Sequence, residues 1–275
     1  MKINILYEDK NILAIDKPAG ISVHGDGKTK EDTIADWVLE NYPKLKNVGE
    51  PMIIERKEGK KDKIPRPGIV HRLDKETSGV LLIAKNQKTF EFLKEQFQNH
   101  KIQKTYRAFV YGRVADPKAS LKTGGRGVIS APIGRSPNDV RMWTAGRGAR
   151  EPVREAVTEY IVLKKFFDTE DEKEMKDNSH QFSYVEVYPK TGRTHQIRVH
   201  FRYINHPVVS DPLYRSSKEL ALGMKRLALH AYKITFALPD GEIKTVEAPL
   251  PADFKKVVKE YIPHPPVSLG HPLLP

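Results

Sequence analysis

Between positions 68 and 84 an apolar run (Gly68, Ile69, Val70) gives way to a polar turn and then to a second apolar run, Val80 to Ala84. Two apolar runs joined by a tight turn read as a hairpin, which commits this part of the chain to a sheet. The turn, HRLDKETSG at 71–79, sets one carboxylate, Asp74, between Arg72 and Lys75 and ends in Thr77, Ser78 and Gly79, residues small enough to let another molecule come close. An aspartate at a turn commonly caps backbone N–H groups. Cationic neighbours also keep a carboxylate ionised, so the same residue is placed to meet a substrate.

A second run, GRTHQIRVH at 192–200, has the grammar of a helix start. Thr194 is expected to cap it, and His195, Arg198 and then Phe201 or Arg202 recur at spacings of three and four, giving one basic face.

The remaining segments alternate strand and helix patterns. INILYED and NILAIDKP read as two short strands, and Thr33 to Tyr42 as an amphipathic helix with Ile34, Trp37 and Val38 on one side. Residues 44–66 read as a basic loop, because within 55–66 six Lys or Arg face three Asp or Glu. Lys88 to Lys101 carries Phe90, Leu93 and Phe97 at helical spacing, and Thr105 to Val110 alternates as a strand does. Residues 122–150, rich in Gly and Arg, read as exposed connections around a brief strand, Gly127 to Ile133. Two long strands, Glu155 to Phe166 and Phe182 to Tyr188, flank an acidic stretch at 168–177 that would repel phosphate. A hairpin (227–239 with 242–249), a closing helix from Phe254 to Tyr261 and a Pro-rich tail at 263–275 complete the chain. Hairpin-spaced strands with a few helices between them indicate an α+β fold on a largely antiparallel sheet.

Composition narrows the partners. The formal charge is +12 over 275 residues, which suits a polyanion and predicts binding that weakens with salt. Without cysteine, neither disulfides nor thiolate zinc sites can form. His195 and His200, five residues apart, point about 140° apart around a helix and do not converge on one metal ion. Charges interrupt the N-terminal apolar stretch, and no apolar run approaches a membrane span, so a soluble cytoplasmic protein is expected.

With both runs in view, the chain resembles the pseudouridine synthases of the RluA type, which isomerise uridines of ribosomal and transfer RNA. The resemblance covers nearly the whole chain through five ordered blocks: IDKPAGISVH (15–24), HRLDKETSG (71–79), KTYRAFVYG (104–112), GRTHQIRVH (192–200) and NHPVVSD (205–211). It implies a mixed, largely antiparallel sheet flanked by helices and loops, forming one catalytic domain over 1–262 with no room for a preceding RNA-binding module. It also implies a reaction without cofactor or metal. The uracil is detached from C1′, turned and rejoined through C5 on an everted nucleotide. Asp74 is then the reacting carboxylate, attacking C1′, adding to the ring or removing a proton from C2′, and all three roles need its charge. Arg198 is expected to pair with Asp74, and Tyr106 to lie against the uracil. Arg72 would fill the gap left by the everted base, and His71, Lys17, Thr77, Arg193 and His195 would contact or support the RNA. The implied partner is RNA, neither DNA nor a membrane, with the protein a monomer; the alternative is a catalytically silent RNA-binding protein on the same fold. NHPVVSD departs from the family in carrying Ser210 where glycine is usual.

Overall fold

The computed structural model describes residues 1–25, 31–55, 61–115, 127–169, 180–215 and 220–262. Its strands begin with β1 (Asn4–Glu8) and β2 (Ile12–Lys17), the expected N-terminal pair. Next come β3 (Met52–Glu55) and β4 (Lys61–Ile64), β5 (Ser78–Ala84) and β6 (Gln103–Tyr111). Then follow β7 (Gly127–Ser130), β8 (Ile133–Arg135), β9 (Trp143–Ala145) and β10 (Arg150–Arg154). The long strands β11 (Val157–Phe167) and β12 (Gln181–Pro189) precede the hairpin of β13 (Leu229–Ala237) and β14 (Ile243–Glu247). Four helices accompany them among the described residues: α1 (Ile34–Asn41), α2 (Gln87–Gln98), α3 (Gln196–Tyr203) and α4 (Ala252–Tyr261).

Nine strands form one sheet in the order β1-β2-β5-β13-β6-β12-β11-β7, with β14 on β13. Its pairs are antiparallel except β5 with β13, so the sheet is mixed and largely antiparallel as expected. The apolar runs of β2 and β5 are covered on both faces, because alternate side chains leave a strand in opposite directions. Ile12, Ala14, Val80 and Leu82 pack with Phe90 and Leu93 of α2, while Leu13, Ile15, Leu81 and Ile83 pack with Ile34, Trp37 and Val38 of α1. Thr33 caps α1 in a reciprocal capping box with Asp36. A larger aromatic core, including Phe109, Phe182, Phe201 and Phe254, joins the other half of the sheet to α3 and α4. No helix among the described residues is long and apolar enough to cross a membrane.

Four local expectations are corrected. The basic stretch 44–66 contains a two-stranded ribbon, β3 with β4, in which Met52 and Ile54 turn inward while Ile53, Glu55, Lys61 and Lys63 face solvent. Charge on the outer face hid the period of two. The apolar runs around Asp74 do not make a hairpin: only Ile69 bridges to Ile83, and the N–H of Leu82 donates to His71 Nε2 at 2.9 Å instead of to a strand. Within 122–150, β8 and β9 join β10, which begins at Arg150, in a small separate sheet rather than forming open connections. Helix α3 starts after His195, which takes left-handed backbone with φ 56°, and Thr194 is not its cap. The C-terminal tail and most of the acidic stretch (170–179) lie outside the described residues.

The central pairing rests on close backbone approach. A Cβ on Gly79, whose φ is +113°, would stand 2.2 Å from the carbonyl oxygen of Ala231 on β13. Gly79→Ala is expected to destabilise the fold by at least ~2 kcal/mol, through strain and clash together, read as a lowered urea midpoint.

The end of the Asp74 turn is also tied to α4. Ser78 Oγ pairs with His230 Nδ1 at 2.9 Å and accepts from Arg226 Nη1 at 3.2 Å, and Arg226 grips Asp253 through bonds of 2.7 and 2.9 Å. His230 is fully buried, and that burial pushes its pKa down to about 4. Above the ordinary histidine value the ring is neutral folded or unfolded and contributes nothing to pH dependence. Below it the unfolded chain takes a proton that the fold refuses, so stability falls with falling pH. At pH 5 the loss is expected to be about 2 kcal/mol, and His230→Gln should lose correspondingly less between pH 7.5 and 5 in urea melts.

Candidate active site

Asp74 sits on a turn, and its one hydrogen-bond donor among the described residues to the side chain is an arginine from a helix. The turn closes with Thr77 N–H donating to the Asp74 carbonyl at 3.1 Å, which leaves the Asp74 side chain at the junction of two cavities of about 620 and 500 Å³. The larger is walled by Tyr106, Lys104, Thr77 and residues 191–198, and the smaller by Val23, His24, Met52, Ile54 and Leu213. Arg72 is exposed and lines both.

Arg198 reaches this point from the first turn of α3, itself 3% exposed. Its Nη1 donates to Asp74 Oδ2 at 3.1 Å. On its other side Nε and Nη2 bind both oxygens of Asp211 at 2.7 and 2.8 Å, a bidentate pairing suited to a planar guanidinium. Burial pulls the arginine pKa down, but the hydrogen bonds and charge of Asp211, with Asp74 behind them, outweigh it and raise the pKa. The cation is therefore permanent. Asp211 is fully buried and also accepts from the N–H groups of Leu213 and Tyr214 at 2.9 and 3.1 Å. Asp74 Oδ1, by contrast, accepts no hydrogen bond among the described residues.

His195 stands 4.0 Å from Asp74 Oδ2 through Nε2. Its tautomer is assigned from a chain of bonds: Trp143 N–H donates to Tyr214 Oη at 2.9 Å, and the Tyr214 hydroxyl pairs with His195 Nδ1 at 2.8 Å. Nδ1 then accepts, and the hydrogen sits on Nε2 toward Asp74. Burial, the largest influence, lowers the histidine pKa against the opposing pull of Asp74, so the ring is neutral. Tyr106 lines the larger cavity, and burial followed by the charge of Asp74 raises its pKa, so its hydroxyl keeps its proton.

The other residues singled out from the sequence divide into lining and support. Lys17 is fully buried and its Nζ donates to the carbonyls of Pro18, Ile21 and Lys75 at 2.7, 2.8 and 3.1 Å. Burial pushes its pKa down to about 7. Because Gly20 N–H also donates to the Lys75 carbonyl, this lysine braces the turn that carries Asp74 and cannot reach a phosphate. His71 is likewise a brace, accepting from Leu82 and stacked on Phe97 at 4.6 Å. Thr77 lines the larger cavity with a buried hydroxyl that has no partner among the described residues. Arg193 is half-buried at the rim, its Nε donating to the Glu155 carbonyl at 2.9 Å. His200 is turned away, bound to Thr158 and the Ala131 carbonyl, and no group of three metal-ligating side chains gathers among the described residues. Ser210 has φ 55°, the backbone region that favours glycine, and its hydroxyl donates to the Met224 carbonyl at 2.8 Å.

The sequence reading gave no role to Asp211 or Tyr214. The only signal was the position of Asp211 at the end of the NHPVVSD block; nothing linear connects it to Arg198. Asp211→Asn would leave a buried guanidinium half-compensated, and a destabilisation of about 3 kcal/mol or more is expected in chemical unfolding, with reduced turnover in whatever remains folded.

Comparison with known proteins shows the family. Residues 11–203 match the family model for RNA pseudouridylate synthases. A protein of Aquifex aeolicus named an uncharacterized RNA pseudouridine synthase is 37% identical over 96% of this chain and 74% of its own length. The ribosomal large subunit pseudouridine synthase D of Xanthomonas campestris is 34% identical over 93% of this chain and 68% of its own. Among solved structures, human RNA pseudouridylate synthase domain containing 4 is similar with a TM-score of 0.64 and 26% identity, covering 93% of this chain and 92% of that one. The chain belongs to the RNA pseudouridine synthase family and is an enzyme that isomerises uridine in RNA.

Proposed function

We propose that this enzyme acts on large-subunit ribosomal RNA and that Asp74 is its reacting carboxylate. The observation that carries the second part is the division of labour between the two oxygens of Asp74. Oδ2 is held at 3.1 Å by a permanent cation, while Oδ1 accepts no hydrogen bond among the described residues and Asp74 lines the cavity. A carboxylate so arranged is oriented and has one oxygen free to attack or to take a proton. The ribosomal choice is supported by relatives named for the large ribosomal subunit, among them those of Xanthomonas campestris and Nitrosomonas europaea. On this reading Tyr106 packs against the everted uracil, and exposed Arg72, planar and always charged, takes its place in the RNA stack. The unpartnered Thr77 hydroxyl and Arg193 contact the entering nucleotide. His195 directs its N–H at Asp74 rather than at RNA. The working unit is 1–262: β13 lies beyond the matched 11–203 yet stands in the middle of the sheet. The protein acts as a monomer in the cytoplasm, on RNA and not DNA.

Two measurements test this. Asp74→Asn should lower single-turnover pseudouridine formation at least about a hundredfold while RNA still binds; retained activity would remove Asp74 from the chemistry. Arg198→Ala should also cripple turnover. Chemical mapping of pseudouridine across total RNA, from cells with and without the protein, should find the lost site in large-subunit ribosomal RNA; a lost site only in transfer RNA would refute that choice.

A further inference from the structure

Lys104 has no part in the arrangement described so far. It precedes Tyr106 by two residues on β6, so the two side chains leave the same face of the sheet about 7 Å apart. Both line the larger cavity. The ammonium of Lys104 makes one hydrogen bond, to the neutral carbonyl of Thr191 at 3.1 Å, and no carboxylate pairs with it among the described residues. Burial alone pushes its pKa down to about 8. Beside it the rings of His71 and Phe97 stack at 4.6 Å, and His71 is neutral, its pKa pushed down to about 3 by burial first and then by the charge of Lys104.

A half-buried ammonium with no counter-charge lowers the stability of the free protein, and natural sequences keep such groups where an anion arrives to compensate them. The cavity wall offers that anion an ammonium on one side and an apolar, stacked pair of rings on the other. An RNA strand entering over Tyr106 carries a phosphate at a distance from the base similar to the spacing between the two side chains. We propose that Lys104 binds a backbone phosphate next to the everted uridine, fixing the register of the strand in the cavity. This rests on reading the cavity as the uridine site.

The test uses the full chain, its Lys104→Met and Lys104→Arg variants, and a synthetic RNA hairpin carrying whichever uridine the chain modifies. Turnover is followed by tritium release from C5-labelled uridine, with the flanking phosphates replaced one at a time by neutral methylphosphonates. Lys104→Met should raise KM about tenfold, the loss of one charge-assisted contact, with the effect mainly on KM rather than kcat and largely recovered in Lys104→Arg. The slope of log Kd against log salt should become shallower by about 0.7, one phosphate fewer. One methylphosphonate should weaken the unaltered enzyme and leave Lys104→Met unaffected. Lys104→Met should also melt at or above the unaltered protein, because an uncompensated charge is gone. Unchanged KM, an equal methylphosphonate penalty in both proteins, or a melting point well below the parent would overturn the assignment. A target in transfer RNA would refute the ribosomal reading alone, since this experiment runs unchanged on that RNA.

Discussion

One guanidinium between two carboxylates organises the site. Arg198 is gripped by Asp211 through two bonds of 2.7 and 2.8 Å and touches Asp74 through one of 3.1 Å, so the stronger partner is the one that takes no part in the proposed chemistry. A buried arginine facing Asp74 alone would exhaust its charge on that pair. With Asp211 behind it, the cation is anchored independently, and Asp74 is oriented without being fully consumed. Asp211 in turn gathers the N–H groups of Leu213 and Tyr214, and Tyr214 sets the tautomer of His195. Three segments distant in sequence are thereby fixed around a single charge.

The sheet supplies rigidity beneath them. The Asp74 turn is held at its end by Gly79 pressed against β13, from below by Lys17 and Gly20 on the Lys75 carbonyl, and laterally by His71 on Leu82. Ser78 passes the connection on to Arg226, Asp253 and α4. Asp74 thus sits on a loop, where another molecule can approach, while Lys17, Leu82 and Ala231, which anchor that loop, belong to buried strands. Within these blocks Lys17 and Ser78 serve as this scaffolding, while His71, Arg72, Asp74 and Thr77 line the larger cavity.

The cavity is asymmetric in charge. Beside Asp74 the guanidinium of Arg198 has two anionic partners, whereas Lys104 has only a carbonyl among the described residues. Removing local compensation from one cation makes the free enzyme slightly less stable and its pocket more receptive to an anion, a trade common where binding sites are built from buried charge.

What the sequence determined by itself was local and periodic. Alternating apolar runs specified the long strands, the N-terminal pair and the 227–249 hairpin, and helical spacing located α1, α2 and α4, because these patterns depend only on which face each residue turns to the core. The ordered blocks identified the family and pointed to Asp74 and Arg198. Tertiary structure decided everything that needs two distant segments at once: the parallel pairing of β5 with β13, the capture of Arg198 by Asp211, the His195 tautomer, and the backbone groups that Lys17 and His71 bind. Charge patterning misled at 44–66 for the same reason. Composition records how many lysines a segment has, whereas the fold alone determines which of them meet an acid, a carbonyl or open solvent.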